Sequence, residues 1–354
     1  MNVNTENFQA FELYSLGLDT FRIYLGNKKQ ELLRDALTKF DQSVDLDPKF
    51  FLPRYYQAVV KDLMGDYEEA SEVLESLKDT APSDFKDLVF YSLAIALYHY
   101  YNPAKIEESI EIFESVKSRN PYVNLLARAG KIQSMAVHMM LSYREKSKAK
   151  KAIKDKKDII KEGKEILKKL TALNWFSLKG RKQDTITHQK EIRWITYNAM
   201  GLAFMYVSDT VRYQDKLEKN KSIPENYLKE LKKAREYFEK ADKINSGHWA
   251  ILSNKGSLNL RKTALEYYYE KDELWGTTLK ETIIDFEKVL EVRPDYDFAY
   301  YELGKVNRMT ERWEEAINHF NQALEVQEKG NVNVPKSSIE RQIKLCKQQY
   351  AKFF

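Results

Sequence analysis

The chain has 354 residues, of which 43% are hydrophobic and 31% charged, and its formal net charge is +5. This balance excludes an intrinsically disordered chain, and the absence of any run of about 18 apolar residues excludes a membrane-spanning helix. No basic stretch followed by an apolar core opens the sequence, so we expect no secretory signal. The single cysteine, Cys346, is typical of the reducing cytosol. We therefore expect a cytoplasmic protein that does not associate with membranes.

Glycine and proline are scarce, with 12 and 8 copies, whereas Lys, Glu, Leu and Ala are abundant. Because the abundant residues favour helices and the scarce ones interrupt them, the composition predicts an all-α protein. The 23 tyrosines supply large rings with a polar tip, which suit helix packing as well as contact surfaces.

Residues 1–123 contain three copies of a repeated spacing. In the clearest copy, Ala70 is followed by Leu74 and Leu77, and Pro82 ends the pattern. Offsets of four and three place such side chains on one stripe of a helix, and a proline shortly afterwards ends that helix. The other copies are Ala36, Phe40, Ser43 and Pro48, then Ser109, Phe113, Val116 and Pro121. Each helix that carries a stripe is preceded by another predicted helix with a small residue at its centre. These small residues are Gly17, Ala58 and Ser92.

Residues 124–294 repeat the same pattern with long insertions. The stripes are Gly163, Leu167 and Leu170, then Ala234, Phe238 and Ala241, then Thr282, Phe286 and Val289, and the preceding small residues are Gly130, Gly201 and Gly256. Regular copies place 12 residues between the two small residues, but 33 separate Gly201 from Ala234 and 26 separate Gly256 from Thr282. We expect longer helices and longer connections here, with the connections forming a ridge along one edge. The sequence Ser-Ile-Pro-Glu at 222–225 predicts a helix start near Ile223.

Residues 295–354 hold the last copy, in which Ala316, Phe320 and Ala323 follow Gly304. Residues 336–353 then form a predicted terminal helix. Stacked repeats need such a helix because their outermost apolar face is otherwise exposed to water.

This ladder of helix pairs resembles the tetratricopeptide repeat family over nearly the whole chain, from Phe8 to Gly330. The best copies are residues 51–84 and 297–330, and the second carries Tyr300, Leu303, Gly304, Trp313 and Ala316 at the spacing of the family. The resemblance implies an all-α, right-handed α-solenoid of about seven helix pairs with a C-terminal capping helix. Its regions are 1–123, 124–294 with the long insertions, and 295–354.

In that family, ligands lie along the concave face formed by the first helix of each pair. Carried over residue by residue, the resemblance implies a binding face made of Tyr55, Val59, Asp62, Asn198, Leu202, Met205, Ser253, Ser257, Tyr301, Lys305 and Arg308. Of these, only Lys305 and Arg308 resemble the carboxylate clamp of the chaperone-binding members. A mixed aromatic and polar groove fits a partner helix or an extended peptide better. The resemblance therefore implies a non-enzymatic scaffold, adaptor or regulatory subunit with a protein or peptide partner.

The basic excess of the chain is concentrated between Lys146 and Lys169, where eleven lysines and four acidic residues give a local charge of +7. An apolar stripe on the same helix makes a solvated outer face one interpretation of these lysines. The alternative is a surface for an anionic partner, with candidates Lys150, Lys151, Lys156 and Lys157, in a nucleic-acid-associated or bacterial defence-type sensor. The segment lacks the interleaved arginines and aromatic rings that base recognition uses.

Catalytic patterns are missing from the sequence. There is no glycine-rich phosphate loop, no HExxH and no CxxC, and the five histidines do not pair at metal-ligand spacing. We predict no catalytic residue, no metal and no cofactor. The identity of the partner and the oligomeric state stay open.

Overall fold

The computed structural model describes residues 5–27, 29–100, 102–142, 149–176, 182–214, 225–265, 275–328 and 332–353. In these residues the chain forms fifteen α-helices and no β-strand, which confirms the all-α prediction. No helix in this part of the chain is long and apolar enough to cross a membrane. The chain divides into two units, Met1–Ala127 and Arg128–Phe354.

The N-terminal unit is built from pairs of helices that are neighbours in sequence. Its helices are α1 (Phe8–Asn27), α2 (Gln30–Leu46), α3 (Phe51–Met64), α4 (Tyr67–Leu77), α5 (Lys86–His99) and α6 (Pro103–Ser115). Each odd-numbered helix packs against the helix that follows it. Local sequence sets their ends. Asn102 caps α6 by accepting hydrogen bonds from the backbone N–H of Ala104 and Lys105, and Gly65 ends α3 with a left-handed φ of 97°.

The predicted stripes form the core of this unit. Ala36, Phe40 and Ser43 of α2 are all fully buried. A Cβ built on Gly17 of α1 would lie 2.8 Å from Cε1 of Phe40, so the two helices approach closely only because Gly17 has no side chain. The hydroxyl of Ser43 donates a hydrogen bond of 2.6 Å to the backbone carbonyl of Ala10, which satisfies a polar group inside the core.

Helix α7 (Pro121–Ser142) crosses the boundary between the units, and the C-terminal unit continues with eight more helices. They are α8 (Ala149–Phe176), α9 (Lys182–Gln214), α10 (Glu225–Asp242), α11 (Trp249–Leu265), α12 (Trp275–Val292), α13 (Asp297–Met309), α14 (Trp313–Gln327) and α15 (Lys336–Phe353). Helices α9, α11 and α13 each pack against the following helix, and α15 packs on α14 as the predicted terminal helix.

The insertions in the central region lengthen the helices. Helices α8 and α9 have 28 and 33 residues, whereas α13 has 13. The connections that were expected to form a ridge include residues 143–148, 215–224 and 266–274, which lie outside the described residues. The ridge and the capping box at 222–225 therefore stay predictions, although α10 does begin at Glu225.

One packing contact recurs in three successive pairs of the C-terminal unit. A Cβ built on the central glycine of the first helix would lie within 3.0 Å of a phenylalanine ring of the second helix. The pairs are Gly201 with Phe238, Gly256 with Phe286, and Gly304 with Phe320. All three rings are fully buried. This repeated contact is the physical reason for the spacing found in the sequence, and it confirms the prediction of repeated helix pairs.

Helix α8 departs from the predicted stripe. The sequence placed Gly163, Leu167 and Leu170 in the core, but Leu167 is only half-buried and Ile166 is fully buried in its place. Gly163 faces α9, where a Cβ would lie 2.8 Å from Sδ of Met200. The three-residue offset from Gly163 to Ile166 keeps both residues on the same face, so this copy differs from the others by one position.

Candidate partner-binding surfaces

In the N-terminal unit, the three predicted contact residues of α3 differ in exposure. Tyr55 is 5% exposed, and its hydroxyl is hydrogen-bonded at 2.9 Å to Oγ of Ser92 on α5. Burial raises the pKa of Tyr55, so the hydroxyl stays neutral in this contact. Val59 and Asp62 are half-buried, and Oδ1 of Asp62 lies 2.8 Å from Nδ1 of His99. Tyr55 is therefore a packing residue, and the Asp62 side chain, which is 12% exposed, is held by His99, so Val59 is the partly accessible member of the three.

The predicted contact residues on α9 and α11 are buried. Asn198, Leu202, Met205, Ser253 and Ser257 are each no more than 5% exposed. Nδ2 of Asn254 donates a hydrogen bond of 2.8 Å to Oδ1 of Asn198, which joins α11 to α9. Because α9 packs against α8, α10 and α11, these side chains hold helices together and a partner docked on the surface does not reach them.

The predicted residues on α13 form an accessible patch. Tyr301, Lys305 and Arg308 are four and three positions apart, so they share one face, and all three are half-buried. Nζ of Lys305 donates to both carboxylate oxygens of Glu302 at 2.8 Å and lies 5.4 Å from the centre of the Tyr301 ring. Nε of Arg308 is buried and has no hydrogen-bond acceptor among the described residues. A partner does not reach this buried nitrogen, so an incoming carboxylate can meet Arg308 only at the accessible part of its side chain.

Among the four candidate lysines of α8, Lys156 has a structural role. Its Nζ lies 2.8 and 2.9 Å from the carboxylate oxygens of Glu230 on α10 and 5.0 Å from the centre of the Phe204 ring on α9. The side chains of the ion pair are only 15% and 19% exposed. Lys156 therefore joins α8 to its neighbours, which corrects its assignment to an anionic partner. A lysine is long enough for its charge to reach α10 from a core-facing position, so sequence spacing does not separate it from the exposed lysines.

Replacing Lys156 with glutamine is expected to lower the stability of α8 against α10 by about 1–2 kcal/mol, because Glu230 keeps its charge with little water around it. Hydrogen exchange of peptides from α8 and α10 measures this. Lys157→Gln, which removes an exposed lysine next to it, serves as the matched control and is expected to have no effect. Stability that falls equally in both variants contradicts the role assigned to the Lys156–Glu230 pair.

The other lysines of α8 form a pattern that the sequence analysis missed. Six of them follow one another at offsets of four, three, four, three and four, which places them on a single stripe. They are Lys150, Lys154, Lys157, Lys161, Lys164 and Lys168, and all six are exposed. None of the six forms an ion pair with another described residue. We call this set the lysine stripe.

Two of the four acidic residues of α8, Glu162 and Glu165, are paired with basic groups outside the lysine stripe. Nε of Arg128 on α7 donates to Glu162 at 2.5 Å, and its Nη2 lies 3.4 Å from Glu165. Lys169 lies 3.0 Å from Glu165, and its hydrogen bond together with the charges of Lys169 and Arg128 lowers the pKa of that carboxyl. Glu162 and Glu165 are thus paired with basic groups outside the stripe.

In the part of the chain that the structure describes, no three His, Cys, Asp or Glu side chains are arranged to hold a metal ion. The histidines with described side chains contact nearby polar or aromatic groups. Examples are His138 with Oγ of Ser142 at 2.9 Å and His248 with the ring of Trp194 at 4.4 Å.

No protein-family model matches the chain. A 50-residue segment is 42% identical to cell division cycle protein 27 homolog A of Arabidopsis thaliana, and it represents 14% of this chain and 7% of that protein. The chain is also similar to the Cut9–Hcn1 hetero-tetramer of the APC/C, at 12% identity and a TM-score of 0.48 over 96% of this chain and 49% of the other. The matched segment thus corresponds to a small part of the length of the plant relative, and this chain covers about half the length of the Cut9–Hcn1 chain.

Two further solved structures are similar at lower scores. The P58(IPK) TPR domain is 17% identical with a TM-score of 0.30, covering 97% of this chain and 98% of that domain. The human IFIT1 dimer with m7Gppp-AAAA is 14% identical with a TM-score of 0.36, covering 91% and 74%.

Proposed function

We propose that this helical-repeat protein of the tetratricopeptide type is a scaffold, adaptor or regulatory subunit that binds a peptide or a helix of a partner protein in the cytoplasm. It carries out no reaction of its own in this proposal. The contacts are the accessible members of the predicted face. In the N-terminal unit the accessible residue is Val59, and in the C-terminal unit the accessible residues are Tyr301, Lys305 and Arg308.

The patch on α13 is the observation that supports the proposal most directly. Tyr301 offers a half-buried aromatic ring that also packs against Phe320, and aromatic and arginine side chains dominate the energetics of many protein interfaces. Arg308 lies on the same face and is partly accessible, and a guanidinium group is a strong donor to carboxylates. A partner carboxylate, from a side chain or a chain terminus, is the acceptor in this proposal. Lys305 is already neutralised by Glu302, so Arg308 provides the charge that the partner recognises.

The proposal is tested by affinity purification from the native host, comparing the wild-type chain with the variants Tyr301→Ala and Arg308→Ala. We expect each substitution to reduce recovery of the bound partner at least tenfold, because truncating an interface anchor of this kind often costs about 2 kcal/mol. Quantitative mass spectrometry of the co-purified proteins gives the measurement.

Arg341→Ala is the matched control, because Arg341 is an exposed arginine of α15 outside the predicted face. It is expected to retain the partner. Circular dichroism verifies that all three variants keep their helix content. Folded Tyr301→Ala and Arg308→Ala proteins that recover the same partners as the wild type refute binding at α13.

A further inference from the structure

We propose that the lysine stripe of α8 binds the sugar–phosphate backbone of a nucleic acid without reading its sequence. The stripe consists of the exposed residues Lys150, Lys154, Lys157, Lys161, Lys164 and Lys168. It belongs to a different helix from the α13 patch, so this site is independent of the proposed protein-binding function.

The geometry of the stripe is that of a linear row of charges. A helix rises about 1.5 Å per residue, so neighbouring lysines are separated by about 6 or 4.5 Å along the axis, and the whole row is about 27 Å long. A nucleic acid strand in a duplex carries one phosphate per roughly 3.4 Å. A strand lying along α8 therefore presents enough phosphates for every lysine of the row, and flexible lysine side chains adjust to the difference in spacing.

The distribution of charge on α8 distinguishes this row from an ordinary solvated face. Such faces usually alternate acidic and basic residues, because opposite charges three or four positions apart stabilise a helix and like charges destabilise it. In the lysine stripe, the six lysines form five successive pairs of like charges, each three or four positions apart. Two of the nearby carboxylates, Glu162 and Glu165, are paired with Arg128 and Lys169, and the exposed Asp158 leaves the six lysines with a large positive excess. The helix thus keeps six positive charges in a line at a cost to its own stability.

The chemistry of the row favours a phosphate backbone over an acidic protein. Exposed lysine–carboxylate pairs contribute little individually, and stable protein interfaces add a core of apolar contacts. The lysine stripe contains no apolar side chain. Binding to a polyphosphate strand needs only the displacement of condensed counterions by several cations, which six lysines supply. Residues 150–168 contain no arginine and no aromatic residue, so this part of α8 offers neither bidentate base contacts nor base stacking, and we expect binding that is independent of sequence.

The test measures binding of the full chain to a fluorescent polyuridine RNA of about 20 nucleotides at several salt concentrations. With six phosphate contacts on a single strand, the logarithm of the affinity should fall with the logarithm of the salt concentration with a slope of about −4. Lys154→Gln, Lys157→Gln and Lys161→Gln combined should reduce the slope to about −2 and weaken binding at low salt at least tenfold. Their melting temperature should stay the same or rise, because like charges are removed.

The control variant combines Lys280→Gln, Lys336→Gln and Lys347→Gln, which removes the same charge from exposed positions on α12 and α15. We expect it to retain the slope of the wild type. Equal slopes for the two triple variants overturn the proposal, since net charge then explains the binding. The proposal also fails if polyglutamate of similar length binds through the stripe and the RNA does not, which assigns the row to an acidic protein.

Discussion

Replacing Gly304 with alanine is expected to lower the stability of the α13–α14 pair by about 2 kcal/mol, although alanine favours a helix over glycine by up to about 1 kcal/mol. The added Cβ would lie 2.5 Å from Cε1, 2.7 Å from Cδ1 and 2.8 Å from Cζ of Phe320. That ring is fully buried between Ala316 and Ala323, so it has little room to move. Hydrogen exchange of peptides from α13 and α14 measures the loss locally, which is appropriate because long repeat arrays do not unfold in one step.

Gly26→Ala is the matched control, because Gly26 is also helical but nothing lies within 4 Å of the added Cβ. This substitution is expected to raise stability by up to about 1 kcal/mol. Combining Gly304→Ala with Phe320→Leu should recover part of the loss, since the smaller side chain relieves the contact. If Gly304→Ala and Gly26→Ala shift stability in the same direction, close helix packing is not the reason for the central glycine.

The same contact explains why the fold was predictable from the sequence. A glycine in a helix interior is unfavourable, so its recurrence before a small residue and a phenylalanine indicates a repeated steric constraint. Gly201 with Phe238 and Gly256 with Phe286 satisfy that constraint in the structure. Copies without the phenylalanine were less informative, and in α8 the stripe was placed one position off at Leu167.

The candidate surfaces were predicted less well, because exposure depends on neighbouring helices rather than on position in a repeat. Asn198 and Ser253 occupy the repeat positions of ligand-binding residues, yet the long central helices bury them. Lys156 belongs to a lysine-rich segment, yet it reaches Glu230, 74 positions further along the chain. A contact between residues so far apart in sequence leaves no local signal. The offsets of the lysine stripe were present in the sequence and identifiable from it.

Asp297 in the C-terminal unit is a second residue whose role depends on contacts with residues distant in sequence. It is the first residue of α13, is fully buried, and was not identified from the sequence. Its Oδ2 accepts hydrogen bonds from Nε2 of Gln327 at 2.7 Å and from the backbone N–H of Asn333 and Val334 at 2.9 and 3.0 Å. Its Oδ1 accepts from Nδ2 of Asn333 at 2.8 Å. The carboxylate also lies at a helix N-terminus, where negative charge is favourable. Asp297 thus joins Gln327 of α14 to Asn333 and Val334, which precede α15.

Replacing Asp297 with alanine is expected to weaken the packing of α15 by about 3 kcal/mol, because several donors, including the buried N–H of Val334, lose their acceptor. The only cysteine of the chain reports on this directly. Cys346 of α15 is fully buried, and burial raises the pKa of its thiol, so it should react slowly with a disulfide reagent in the wild type. If the free energy needed to expose Cys346 falls by about 3 kcal/mol, the thiol reacts roughly 100-fold faster.

Two further substitutions separate the lost hydrogen bonds from the lost charge. Asp297→Asn keeps the shape but turns an N–H₂ group toward at least one donor, so it is expected to accelerate the reaction of Cys346 nearly as much as alanine does. Glu340→Ala removes an exposed carboxylate from α15 itself and should leave the rate unchanged. A thiol that reacts equally slowly in the wild type and in Asp297→Ala shows that α15 is held mainly by its apolar contacts around Ile339, and that the buried carboxylate only shapes the connection.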